Sequence, residues 1–105
     1  MILTTTDHIE GRKIKEYIGL VFGEQVNGID FVKDIGAGFR NFVGGRSKGY
    51  EDEVILTRQE CLREMEERAS KLGADAIVGI KVEFEALGAG NMIFLNISGT
   101  AVKLD

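Results

Sequence analysis

Hydrophobic and polar positions follow a strand-like or helix-like rhythm in six stretches of the chain. Residues 1–6, rich in Ile, Leu and Thr, predict a short strand. A polar stretch follows, with Gly11 marking a turn. Residues 17–26 predict a second strand, with Ile18, Leu20 and Phe22 on one face and Tyr17, Gly19, Val21 and Gly23 on the other. Two glycines inside one strand predict a bulge, or a neighbour lying close against that face. Asn27-Gly28 predicts the end of the strand.

In the next stretch Phe31, Val32, Ile35, Phe39, Phe42 and Val43 recur at spacings of three and four. This predicts a short helix with Asp30 as its cap, ending at Gly44-Gly45. Gly36 and Gly38 oppose it by up to about 1 kcal/mol each relative to alanine. Residues 50–72 predict a long helix. Val54, Ile55, Cys61, Leu62, Met65, Ala69 and Leu72 form its apolar stripe, and Thr57, Glu60, Arg63, Glu64, Glu67 and Lys71 lie towards the other side. Acidic residues at 51–53 suit the positive end of the helix dipole. Glu64 with Arg68, and Glu67 with Lys71, are spaced for i,i+4 ion pairs, and Gly73 is placed for a left-handed cap.

Residues 76–86 alternate. Ala76, Val78, Ile80, Val82 and Phe84 are expected on one face, and Gly79, Lys81, Glu83 and Glu85 on a wet one. After a connection of hairpin length, residues 92–102 predict the last strand. Ile93, Leu95, Ile97 and Ala101 share one face; Met92, Phe94, Asn96, Ser98, Thr100 and Val102 share the other. The second face is more apolar than solvent requires, which predicts burial against another subunit. The element order is ββααββ. The expected fold class is α+β: a mainly antiparallel sheet with one long and one short helix packed on it, as a single domain over residues 1–105.

Composition narrows the function classes. A chain of 105 residues holds one core. The formal charge of −4 disfavours a broad cationic face for nucleic acid, and the local groups Arg12, Lys13, Lys15 and Arg40, Arg46, Lys48 carry no nucleic-acid motif. One cysteine forms no intrachain disulfide. No stretch reads as a signal peptide or is apolar enough for a membrane span, so a reducing, cytoplasmic setting is expected.

The residues supply little chemistry. Cys61 lies on the apolar stripe, where burial makes it a small hydrophobe and not a thiolate. His8, the single histidine, stands beside Asp7 in a polar turn. One His and one Cys cannot complete a zinc site within a chain; a symmetric oligomer would repeat His8 or a carboxylate around an axis. The glycine-rich stretches match neither the dinucleotide fingerprint nor a Walker loop. Gly44-Gly45 does lead towards a helix start, so Arg40, Arg46, Ser47 and Tyr50 are candidates for binding a small ligand or an anion. No catalytic residue is assigned, and the chain is not expected to be an enzyme.

Several motifs together resemble the YbjQ-like family of small bacterial and archaeal proteins. They are Gly44-Gly45-Arg46-Ser47 with Tyr50-Glu51, then Leu72-Gly73-Ala74-Asp75-Ala76-Ile77-Val78-Gly79, and Ser98-Gly99-Thr100-Ala101-Val102. The opening residues and the strand from Tyr17-Ile18-Gly19 to Val26 also fit, so the likeness spans nearly the whole chain. The resemblance implies a compact α+β subunit assembling into a homopentamer, and a heavy-metal-binding label. The expected function is a homo-oligomeric binding or scaffold protein with no cofactor. The alternative is a module that binds a divalent heavy metal with ligands contributed across subunits, His8 among them.

Overall fold

The structure, a computed structural model, describes residues 1–28, 48–87 and 92–105. Within them lie strands β1 (Ile2–Leu3) and β2 (Ile14–Gly28), helix α1 (Lys48–Lys71), and strands β3 (Ala76–Leu87) and β4 (Met92–Leu104). The sheet order is β1-β3-β4-β2. β4 pairs antiparallel with both β2 and β3, while β1 pairs parallel with β3. The sheet is therefore mixed and not mainly antiparallel. The cause is the polar turn after β1, which leaves the N-terminus running alongside β3 instead of forming a hairpin with β2. One helix is present among the described residues. The short helix expected near residues 31–43 lies outside them.

α1 packs on one face of the sheet, over β2 and β4. Thr57, Cys61, Met65 and Ala69, spaced every four residues, are all fully buried along its inner line. Thr57 was expected on the polar side; its hydroxyl accepts a 2.6 Å hydrogen bond from Asn27 Nδ2, which satisfies the buried oxygen. Ile55 and Leu72, expected on the stripe, are exposed. Glu64 pairs with Arg68 as expected, but Glu67 pairs with Arg63 at 2.9 Å and not with Lys71. The helix ends as its sequence predicts. Gly73 has φ +80°, its N–H reaches the Ser70 carbonyl, and the Ala74 N–H reaches that of Ala69. This is a Schellman cap, which satisfies two otherwise orphaned carbonyls.

Two bulges change which side chains share a face. In β3, Val78 pairs with Thr100 but Lys81 pairs with Ser98, so one residue is extra, and Gly79 takes φ +62° to provide it. The even alternation expected over residues 76–86 therefore breaks at Gly79. Ile77 and Ile80 join the core beneath the helix, whereas Ala76 and Val78 pack on the opposite face with Val102 and Leu104. In β2 a register shift between Tyr17 and Gly19 likewise puts Ile18 and Val21 on the helix side. Gly23 lies directly under the helix backbone at Cys61. The second strand also continues through Asn27 to Gly28, because pairing with Ile93 and Met92 holds these two residues extended.

Candidate functional site

The face of the sheet away from α1 is the most prominent unassigned surface. Register places Leu20 beside Thr100, Phe22 beside Ser98 and Val26 beside Phe94. Leu20 is 70% exposed, Val26 50% and Phe22 38%. Part of this face is sealed by the chain itself: Val102 and Leu104 are buried with Ile9 and Ile14 packed on them. So the apolar second face of the last strand, expected to meet another subunit throughout, is covered internally at its C-terminal end. It stays open from Thr100 back towards Met92.

In the middle of the open face sits Asn96, paired in register with Glu24 on one side and Glu83 on the other. Its Oδ1 is buried with no hydrogen-bond partner among the described residues. An acceptor shut away from water and left unpaired costs about 1–3 kcal/mol.

The sequence-predicted metal ligand lies elsewhere. His8 sits in the exposed turn after β1, with Nδ1 at 2.8 Å from Asp7 Oδ1. The turn is built from local bonds. The Thr6 hydroxyl donates to the His8 carbonyl at 2.7 Å, and Gly11, at φ +79°, lets Arg12 bond back to Ile9. Arg12 then ties the turn to the C-terminus through Nε to the Asp105 carbonyl. The hydrogen bond and charge of His8 hold the Asp7 carboxyl below its usual range. His8 and Asp7 supply two donors, fewer than a heavy-metal site needs. Among the described residues no group of three or more His, Cys, Asp or Glu side chains converges.

Cys61 is fully buried beneath the helix, and its thiol donates to the Leu95 carbonyl at 3.5 Å. Burial, followed by the charges of Glu64, Glu60 and Glu24, pushes its pKa up to about 11. That agrees with its reading as a hydrophobe. Arg40, Arg46 and Ser47 lie outside the described residues. Tyr50 is in the first turn of α1, and its side chain lies outside them too. The four-residue anion-binding set therefore falls outside the described residues. Sequence reasoning missed the Asn96 row, whose only signal was a polar residue at the centre of an otherwise packable strand face. It also missed the Asn27–Thr57 bond, because Asn-Gly reads locally as a turn. No helix among the described residues is long and apolar enough to cross a membrane.

Comparison with known proteins fits this geometry. A crystal structure of a DUF74-family protein of unknown function from Pediococcus pentosaceus ATCC 25745 superposes with a TM-score of 0.72 at 18% identity. The match covers 100% of this chain and 98% of that one, and it supports the α+β fold. UPF0145 proteins are much nearer in sequence. Those of Listeria monocytogenes serotype 4a (strain HCC23) and Listeria welshimeri are each 55% identical, and that of Listeria ivanovii is 54% identical. Each alignment covers 100% of this chain and 96% of the relative. The YbjQ family profile, described as "Putative heavy-metal-binding", matches residues 1–105. The motif resemblance and the fold thus lead to one conclusion: the chain belongs to the YbjQ-like family.

Proposed function

We propose that the chain is a homo-oligomeric, non-enzymatic binding or scaffold protein of the reducing cytoplasm, assembled as the pentamer its family resemblance implies. The observation that carries this reading is the open sheet face. Leu20, Phe22, Val26 and Met92 are exposed around the half-buried Phe94, and the orphaned Asn96 Oδ1 lies among them. Large apolar side chains left exposed on both sides of a polar row support an interaction site. The described residues also span 54 × 23 × 17 Å, with a radius of gyration of 17.2 Å against about 13 Å for a compact chain of this length. Native mass spectrometry at micromolar concentration should give one species at five times the 11.5 kDa chain mass. Leu20→Glu with Phe22→Glu should reduce it to the single chain while far-UV circular dichroism stays unchanged. A wild-type chain that is monomeric under these conditions overturns the reading.

A second reading is favoured by the Asp7–His8 pair, whose two donors are already held 2.8 Å apart on an exposed turn. Repeated by symmetry, such a pair would supply a divalent heavy metal with four or more donors from neighbouring copies. Titration calorimetry of the assembled protein with zinc, copper and nickel should then give saturable heat that His8→Ala removes. Absence of heat, or heat unchanged in the variant, rejects this reading.

A further inference from the structure

The two long outer strands treat their edges differently. β2 carries two register shifts, and the Arg68 guanidinium donates to its Phe22 carbonyl at 2.7 Å. Register shifts and an already occupied edge carbonyl of this sort discourage a further strand from adding. β3 is covered at its start, where Thr4 and Thr6 accept hydrogen bonds from Ile80 and Gly79. Beyond that point, among the described residues, nothing bonds to the outer edge of β3 from Lys81 to Leu87, and no bulge interrupts it.

The side chains along this bare edge form an ordered pattern. Lys81, Glu83 and Glu85 project to the open face and are exposed, with no ion pair or hydrogen bond among the described residues. Val82 and Phe84, each 47% exposed, project to the helix side. Because α1 lies over β2 and β4, it leaves a shallow groove of about 340 Å³ lined by Glu51, Val54, Ile55 and Phe84.

We propose that the Lys81–Leu87 edge of β3 is a docking strand for an extended peptide that alternates basic and apolar residues. The peptide adds as a fifth strand, its backbone bonding to the free edge. Charge complementarity sets its chemistry. Lysine or arginine stands opposite Glu83 and Glu85, an acidic residue stands opposite Lys81, and the intervening aliphatic side chains lie beside Val82 and Phe84 and enter the groove. In the antiparallel arrangement, which is the more stable per residue, the recognised core reads Lys-Ile-Lys-Val-Glu. The edge itself lies across β4 from β2, but Glu83 flanks the Asn96 row of the open face, so the native mass of Phe84→Lys is what separates the inference from the assembly reading.

The test uses fluorescence anisotropy with labelled ten-residue peptides centred on Lys-Ile-Lys-Val-Glu or on its charge reverse, Glu-Ile-Glu-Val-Lys. The full wild-type chain should bind the first saturably and the second at least about tenfold more weakly. The triple variant Lys81→Glu, Glu83→Lys, Glu85→Lys should invert that preference. Proline in place of the isoleucine of the first peptide, which stands opposite Phe84, should abolish binding by breaking the ladder, because the outward Ile80 N–H sets Val82 and Phe84 as the residues whose backbone faces the free edge. Three outcomes overturn the proposal: binding of neither peptide, equal binding of both, or a variant that does not invert. A drop in native mass on Phe84→Lys also overturns it, because a second copy then holds the edge.

Discussion

Gly23→Ala should lower the melting temperature by roughly 12 °C or more. A Cβ at this position would sit far inside van der Waals contact distance of the Cys61 carbonyl oxygen, with the carbonyl carbon only 2.9 Å away. Both atoms belong to the helix backbone. No rotamer change relieves the overlap; the helix must lift from β2. Lifting it would loosen Cys61, Met65 and Ala69 from the sheet and stretch the Asn27–Thr57 and Gln25–Glu64 bonds. The cost is at the upper end for overpacking, about 3 kcal/mol, a large share of a small domain's stability. Gly11→Ala is the control. Gly11 has φ +79° but, among the described residues, nothing within 4 Å of an added Cβ, so it should lose only the backbone term of about 1 kcal/mol. Thermal denaturation of both variants at one protomer concentration separates close approach from strain. Equal shifts would show that helix contact at Gly23 is not what glycine provides there.

The same residue shows what the chain discloses before folding and what it withholds. Two glycines in a predicted strand signalled a bulge or a close neighbour, and β2 contains both: a register shift before Gly19 and helix contact at Gly23. The long helix and its Gly73 cap were equally legible, because period and capping act locally. The inversion at Gly79 was not. Alternation assumes one residue per pleat, and here Gly79 and Ile80 together oppose Gly99 on the neighbouring strand, in close contact with it. An added Cβ there would fall 2.6 Å from Ile77 Cγ2 and 3.3 Å from the Val78 carbonyl. Parallel pairing of β1 was hidden for a similar reason, since two residues of strand carry no signal about direction. Of the candidate site, the apolar character of Leu20, Phe22 and Phe94 was readable. Their openness was not, because it depends on which face the helix covers and how far the 7–14 turn reaches over Val102.

β4 offers the sharpest test of how the two faces divide their roles. Ile97 is fully buried in the cluster beneath α1, opposite Val82 and Gly23 in the sheet. Ile97→Ala should cost about 2–5 kcal/mol, the transfer energy of the deleted carbons plus the cavity they leave. The high end is expected because both flanking strands are anchored to β4 along most of their length, so the site cannot collapse. Ser98, the next residue, faces the other way between Phe22 and Lys81 and is half-buried. Ser98→Ala should change stability by less than about 0.5 kcal/mol. Urea unfolding at a fixed protomer concentration reads both, with an unchanged slope expected for each. If the open face carries assembly, Ile97→Ala should leave the native mass at the wild-type value in the absence of denaturant. Loss of stability and loss of assembly would then fall on opposite faces of one strand. If Ile97→Ala dissolves the oligomer while remaining folded, the helix side takes part in the contact, and the division of labour between the faces fails.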